Sequence, residues 1–222
     1  MANFSPRKEI DIPGDLPRAA IAVLASGGLK SAILTAHLLD EFQAVYPIYV
    51  RQGLAREPIE ERSLRRFLAA VRGPKLGRLA ILRTAETEQP RDGDFEPVVR
   101  TAAAWCTQNG IAALAVASVE PGTFFPEEPA QLGGSVEPPA GEPVRLVAPF
   151  QGLSRASFLE FGRGLPLDLT FSCRRPILKL NCPALHCGQC LNCLDRRAGF
   201  AGLGIADRTR YAAGDRSARA VS

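Results

Sequence analysis

Apolar residues fall along this chain in short unbroken runs, separated by longer stretches with a helical period. Ala20 to Ala25 is a run containing Ile and Val, closed by a Gly pair, and it predicts a buried strand. Leu29 to Phe42 places Ile33, Leu34, Ala36, Leu38 and Leu39 around much of a helix. Ala44 to Val50 is β-branched and aromatic, a second strand. Glu57 to Val71 sets Ile59, Phe67, Leu68 and Val71 on one stripe, with Glu60, Glu61, Arg62, Arg65 and Arg66 elsewhere, as in a surface helix. Leu79 to Leu82 predicts a third strand, and Pro97 to Gln108 an Ala-rich helix stopped by Asn109-Gly110. Ile111 to Val119 and Val144 to Ala148 predict further strands, followed by a helix over Ser154 to Phe161.

Strands that are apolar throughout, alternating with helices, indicate a parallel sheet covered on both faces. The expected fold is a three-layer α/β unit with right-handed crossovers. No internal repeat is visible. Glu120 to Pro143 breaks the pattern with six Pro, four Gly, five Glu and neither Lys nor Arg. It reads as a solvated loop or as a lid beside the carboxyl ends of the strands. From Ala212 onward the apolar period is lost, which predicts a disordered tail over 212–222.

Composition narrows the class. The 222 residues are 46% hydrophobic and 23% charged, an ordinary globular balance with enough length for a full core. No window approaches the roughly 18 unbroken apolar residues of a membrane span. The first ten residues carry charges and a Pro, not the apolar run of a secretory signal. The net charge is +4, and residues 193–222 hold six Arg against three Asp. The body therefore lacks the broad basic face that a nucleic-acid backbone demands, and nucleic acid is disfavoured as the main ligand. An Arg-rich C-terminal strip remains the one feature that points to it.

Two patterns carry chemistry. Ser26-Gly27-Gly28-Leu29-Lys30-Ser31 links the first strand to the first helix. Its glycines allow a tight turn and close approach of a ligand, and the amides that open the helix favour an anion such as phosphate. The same glycines also suit a turn that has geometry as its only task. It is neither the dinucleotide fingerprint nor the P-loop, lacking the third Gly of one and the Gly-Lys-Ser/Thr of the other. Farther on, Cys173, Cys182, Cys187, Cys190 and Cys193 share 21 positions. Five is an odd number and nothing marks an oxidising compartment, so metal ligation is favoured over disulfides and a cytoplasmic location is expected. Cys187, Cys190 and Cys193 supply chelating turns, with Cys173 or Cys182 as the fourth thiolate of a closed, structural Zn²⁺ site. An iron–sulfur cluster is the soft-ligand competitor. His186 is the less natural ligand. His37, Trp105 and Cys106 read as core residues, and Arg196 and Arg197 as structural or anion-binding.

The glycine loop resembles the Ser-Gly-Gly-x-Asp-Ser signature of the PP-loop ATP pyrophosphatases. Thr170-Phe171-Ser172-Cys173, Leu185-His186-Cys187-Gly188-Gln189-Cys190-Leu191-Asn192-Cys193, Asp195 to Phe200 and Asp207 to Tyr211 resemble the zinc-binding end of 7-cyano-7-deazaguanine synthases, the QueC-like or ExsB proteins. Tyr46 to Leu54 and Val147 to Phe150 extend the similarity. The resemblance implies an adenine nucleotide α-hydrolase-like, Rossmann-like core over 20–165, after an N-terminal extension at 1–19, and a zinc-binding region over 166–211. It implies nucleotide contacts from Leu24, Ala25, Ser26, Gly27, Gly28, Leu29, Lys30 and Ser31, and zinc ligands Cys173, Cys187, Cys190 and Cys193, with Cys182 in an insertion. The implied reaction is an ATP- and Mg²⁺-dependent ligation that converts 7-carboxy-7-deazaguanine and ammonia to the nitrile, in queuosine biosynthesis. ATP, a deazapurine and a second copy in a homodimer are the implied partners.

Three positions depart from that pattern. Lys30 stands in the place of the loop Asp and cannot help hold Mg²⁺, so no catalytic residue is assigned. Arg91 to Pro97 lacks the Arg-Asn pair of related sequences, and Phe125-Pro126-Glu127 carries Glu where Asp is usual. The alternative to an active ligase is thus a degenerate, non-catalytic QueC-like protein that binds nucleotide or a protein partner.

Overall fold

The computed structural model describes residues 10–84, 95–117, 133–136, 143–151, 153, 155–178 and 183–212. Six strands form one sheet: β1 (Ala20–Leu24), β2 (Ala44–Arg51), β3 (Ala80–Arg83), β4 (Ala113–Ala115), β5 (Gly133–Val136) and β6 (Val144–Val147). Their spatial order is β3-β2-β1-β4-β6-β5. The first five run parallel, and β5 closes one edge antiparallel to β6.

Side-chain alternation explains why the strands are apolar on both faces. Ile21 and Val23 of β1 join a core with Ile33, Leu34 and Leu38 of α1 (Leu29–Glu41) and Leu64 and Phe67 of α2 (Glu57–Ala70). Ala22 and Leu24 join Val99, Ala102, Ala103 and Cys106 of α3 (Glu96–Gln108) on the opposite face. Each large aliphatic side chain so buried stabilises the fold by about 1.5–3 kcal/mol relative to exposure. The expected three-layer α/β architecture is the observed one. Pro47 is tolerated inside β2 because its missing N–H falls where the ladder toward β3 is open, between the Val45–Leu76 bridge and the Ile48–Ala80 pair.

Two elements were absent from the sequence-based expectation. Strand β5 lies inside the 120–143 segment, where Gly133-Gly134-Ser135 shows no apolar alternation and the strand forms by backbone pairing with the open edge of β6. Residues 120–132 and 137–142 of that segment, including Phe125-Pro126-Glu127, lie outside the described residues, as do Arg91, Cys182 and 213–222. Helix α5 (Leu191–Gly202) follows α4 (Arg155–Glu160) and a 3₁₀ turn at Leu167–Leu169. Helix α5 lies close against α4: a β-carbon at Gly199 would collide with Leu159 Cδ1, and Phe200 joins the main core.

Of the three expected core residues, His37 and Cys106 are buried, while Trp105 is partly buried against the α3 side of the core. His37 is buried, with Nε2 on the carbonyl of Phe161 at 2.8 Å and edge contacts to Phe150 and Phe161. Cys106 is fully buried, and burial pushes its thiol up to about 12.

Candidate nucleotide cleft and metal centre

A cleft of about 540 Å³ opens at the carboxyl ends of the strands. It sits where the strand order reverses between β1 and β4, the place where open α/β sheets bind ligands. Leu24, Ala25, Ser26, Gly28, Leu29, Lys30 and Ser31 line it. Gly27, the remaining residue of the predicted set, turns inward instead. Its φ is +77°, and a β-carbon there would come within 2.6 Å of the Glu60 carbonyl on α2. Gly28 has ordinary extended backbone and opens α1, so its lack of a side chain leaves room for a ligand.

The loop is braced by its serines. The amide of Ser26 donates to Ser31 Oγ at 3.2 Å, the two hydroxyls share a hydrogen bond at 3.2 Å, and Ser31 Oγ donates to the Gly28 carbonyl at 3.3 Å. The first intrahelical bond runs from Ala32 N–H to Gly28 at 3.1 Å. Earlier amides of such a helix have no intrahelical acceptor, and with the helix dipole they favour an anion. Lys30 is exposed at the start of α1.

Opposite charges meet across the floor of the cleft. Tyr49 donates to Glu60 Oε2 at 2.8 Å, and Arg56 Nε donates to Glu60 Oε1 at 2.7 Å. Burial, with Glu60 beside it, holds the Tyr49 phenol far above its ordinary range. Glu57 accepts the Gln52 amide. Glu61, read from the sequence as part of a solvent-facing stripe, is buried and takes a bidentate pair from Arg51 at 2.6 and 3.0 Å. The helical pattern hid these carboxylates because charge alone does not say which face is inward.

The second wall of the cleft comes from the cysteine-rich region, through Phe171, Ser172, Asn192 and Asp195. The Sγ atoms of Cys173, Cys187, Cys190 and Cys193 all lie within 4.8 Å of one another. Measured pairs are 3.9, 3.9 and 3.4 Å. Tetrahedral Zn²⁺ with bonds of about 2.3 Å requires sulfurs about 3.8 Å apart, so the donor set and spacing fit a closed site. Amides reinforce it: Cys187 N–H and Arg175 N–H point to Cys173 Sγ at 3.2 and 3.3 Å, and Cys190 N–H and Gln189 N–H to Cys187 Sγ at 3.3 and 3.4 Å. Gly188, at φ +76°, makes that turn. Burial pushes the Cys173 and Cys193 thiols up. Burial also raises Cys187, but the Gln189 and Cys190 amides outweigh it and bring that thiol down to about 6.

His186 is not a ligand. Its ring packs against Phe171, tilted by 43° with centroids 4.3 Å apart, and its Nε2 accepts the Ser172 amide at 3.3 Å. Burial and the nearby Arg196 charge bring it down to about 3, so it is neutral. Arg196 is fully buried and donates to Thr209 Oγ1 at 2.6 Å, Thr170 Oγ1 at 2.9 Å and the Leu167 carbonyl at 2.6 Å. Of its two expected roles, the structural one is occupied. Arg197 lies 4.0 Å over the Tyr211 ring, and Tyr211 donates to Asp207 at 2.7 Å.

One bond ties the two motifs together: the Phe171 amide donates to the Gly27 carbonyl at 2.8 Å. Among the described residues no helix is long and apolar enough to cross a membrane.

Comparison with known proteins points the same way. The family model described as queuosine biosynthesis protein QueC matches residues 101–204. The 7-cyano-7-deazaguanine synthase of Methanothermobacter thermautotrophicus is 40% identical over 70 residues, 31% of this chain and 29% of its own. That of Anaeromyxobacter dehalogenans is 40% identical over 74 residues, 32% of this chain and 30% of its own. These alignments thus span about three-tenths of the relatives' length. The synthase of Methanopyrus kandleri is 26% identical over 230 residues, 87% of this chain and 99% of its own.

Proposed function

We propose, from the premise that this chain is QueC-like, that it is an ATP-dependent ligase of queuosine biosynthesis, making 7-cyano-7-deazaguanine from 7-carboxy-7-deazaguanine and ammonia. The observation that carries this reading is the glycine loop opening on a cleft whose far wall is built around four clustered cysteines. A carboxylate is a poor electrophile. When one of its oxygens attacks the α-phosphorus of ATP, pyrophosphate leaves and an acyl adenylate forms. Ammonia then adds at the acyl carbon, and AMP leaves to give the amide. The nitrile retains neither carboxylate oxygen, so a second ATP adenylates the amide oxygen with release of pyrophosphate, and that oxygen leaves in AMP as the nitrogen gives up its two protons.

In this reading the Gly27–Ser31 loop and the start of α1 hold the phosphates, a preorganised electrostatic role. The loop has Lys30 where a carboxylate is usual, so a Mg²⁺ accompanying ATP would draw oxygen ligands from the phosphates and from cleft carboxylates such as Glu57, Glu60 and Asp195. Bound zinc would supply no chemistry to the reaction; Cys173, Cys187, Cys190 and Cys193 would hold it as a structural ion.

Lys30 favours a second reading, in which the chain binds nucleotide or a protein partner without turnover. The test is an assay of the purified protein with ATP, Mg²⁺, ammonia and 7-carboxy-7-deazaguanine. Pyrophosphate, AMP and nitrile are the expected products. ATP binding by calorimetry with no product would establish the second reading in place of the first.

A further inference from the structure

Residues 170–173 run from the 3₁₀ turn to the metal centre, and three of the four have their polar or thiol groups engaged. The Thr170 hydroxyl serves Leu167 and Arg196, the Phe171 amide holds the glycine loop, and Cys173 is one of the four clustered sulfurs. Ser172 is different. Its amide donates to His186 Nε2 at 3.3 Å, and its carbonyl accepts from Asn192 Nδ2 at 2.9 Å. His186 precedes Cys187 and Asn192 precedes Cys193, so the cysteine-bearing segment grips both backbone groups of Ser172. Its hydroxyl, by contrast, is buried and meets no hydrogen-bond partner among the described residues.

A hydroxyl withdrawn from water and left unpaired destabilises the fold, and removing it takes only a change to Ala. The one other buried side-chain atom in this state among the described residues is Arg18 Nη1, whose guanidinium lies over Phe42 away from the cleft. Ser172 lines the cleft, one residue from the amide that grips Gly27, on a wall shared with Arg174 and Arg196. A hydroxyl donor in that setting is suited to an anionic oxygen, the strongest acceptor a ligand can present.

We infer that Ser172 Oγ is a ligand-contacting group of the cleft, donating a hydrogen bond to a phosphate oxygen of the nucleotide seated on the Gly27–Ser31 loop, with His186 and Asn192 as its positioning residues. This rests on the ATP reading above. The cysteine-rich region then does more than close the fold, because it delivers a donor to the ligand.

The test uses the full-length, zinc-loaded protein, with calorimetric titration of ATP, pyrophosphate and adenosine, and thermal melts without nucleotide. Ser172→Ala is expected to weaken ATP and pyrophosphate by about tenfold, the size of a hydrogen bond to a charged group. Its metal content and its adenosine response should equal those of the parent, and its melting temperature should be equal or higher. Ser172→Thr, which retains the hydroxyl, should recover most of the affinity. A Ser172→Ala protein that binds ATP like the parent overturns the inference alone, whether or not its melting temperature falls. A parent protein that binds neither ATP nor pyrophosphate overturns the nucleotide reading and this inference with it.

Discussion

Phe171 and Gly27 are 144 positions apart in the chain, yet the amide of the first donates a 2.8 Å hydrogen bond to the carbonyl of the second. The bond holds the innermost turn of the glycine loop from the side of the cysteine cluster, so an ion held by the four cysteines would be linked to the loop geometry. Stripping the metal with a chelator is expected to loosen residues 171–212 and weaken ATP binding together. Four-thiolate zinc contributes on the order of 10 kcal/mol to small metal-dependent folds. Hydrogen exchange and calorimetry on the same sample check it: both changes should appear and reverse on adding zinc.

The two glycines of the loop should behave differently. Gly27→Ala places a side chain at φ +77° and against the Glu60 carbonyl, so it should destabilise by about 2–3 kcal/mol. That corresponds to a melting temperature lower by roughly 5–10 °C. Gly28→Ala meets Ser26 Oγ at 3.4 Å and the Phe171 carbonyl oxygen at 3.8 Å, both ordinary contacts, and should leave the melt nearly unchanged while obstructing the phosphates. Melting curves and ATP titrations on the pair separate the roles.

Arg196 should be indispensable and Arg197 dispensable for folding. Arg196→Met removes the guanidinium bonds to Thr170 and the Leu167 carbonyl, which keep each other, and leaves the Thr209 hydroxyl without that partner, at an expected cost of about 1–3 kcal/mol. Arg196→Lys should rescue little, because an ammonium cannot reproduce the planar fork. Arg197→Ala loses a stacking contact worth about 1 kcal/mol. Urea denaturation distinguishes the three.

Lys30→Asp puts a carboxylate back at the head of α1. It is expected to raise pyrophosphate release by about a hundredfold, the lower end of what one well-placed electrostatic group contributes. A pyrophosphate-coupled assay at several Mg²⁺ concentrations would show whether the gain depends on the cation.

Cys106 should be inert in the native protein. Its thiol is raised to about 12 by burial, so the thiolate fraction at pH 8 is only about one in ten thousand. Iodoacetamide followed by peptide mass mapping should label Cys106 only after denaturation.

Legibility tracked the physics of each element. β1, α1, β2 and α2 could be read to within a residue or two because a strand covered on both faces leaves an unbroken apolar run. Three of the four clustered cysteines, Cys187, Cys190 and Cys193, were legible from spacing; the choice of Cys173 over Cys182 came from the resemblance, not from spacing. Helix α5 was not legible, because it starts inside the cysteine-bearing turns and its buried positions are Cys193, Arg196 and Phe200. Helical spacing is present there, but an arginine occupies one of the inward positions. Ser172 and Asn192 escaped notice for a related reason. They line the cleft and are held there by long-range hydrogen bonds, Ser172 to His186 and Asn192 to Ser172, and no local pattern announces such contacts.

Gly199 sets a limit on how this molecule can be taken apart. A side chain at that position would meet the Cδ1 tip of Leu159, so the thiolate-bearing segment is fitted to α4, and grafting it onto a foreign partner would require that contact to be repacked. A chimera that carries Leu159 along with α5 keeps the pair matched, whereas one joined near residue 165 does not.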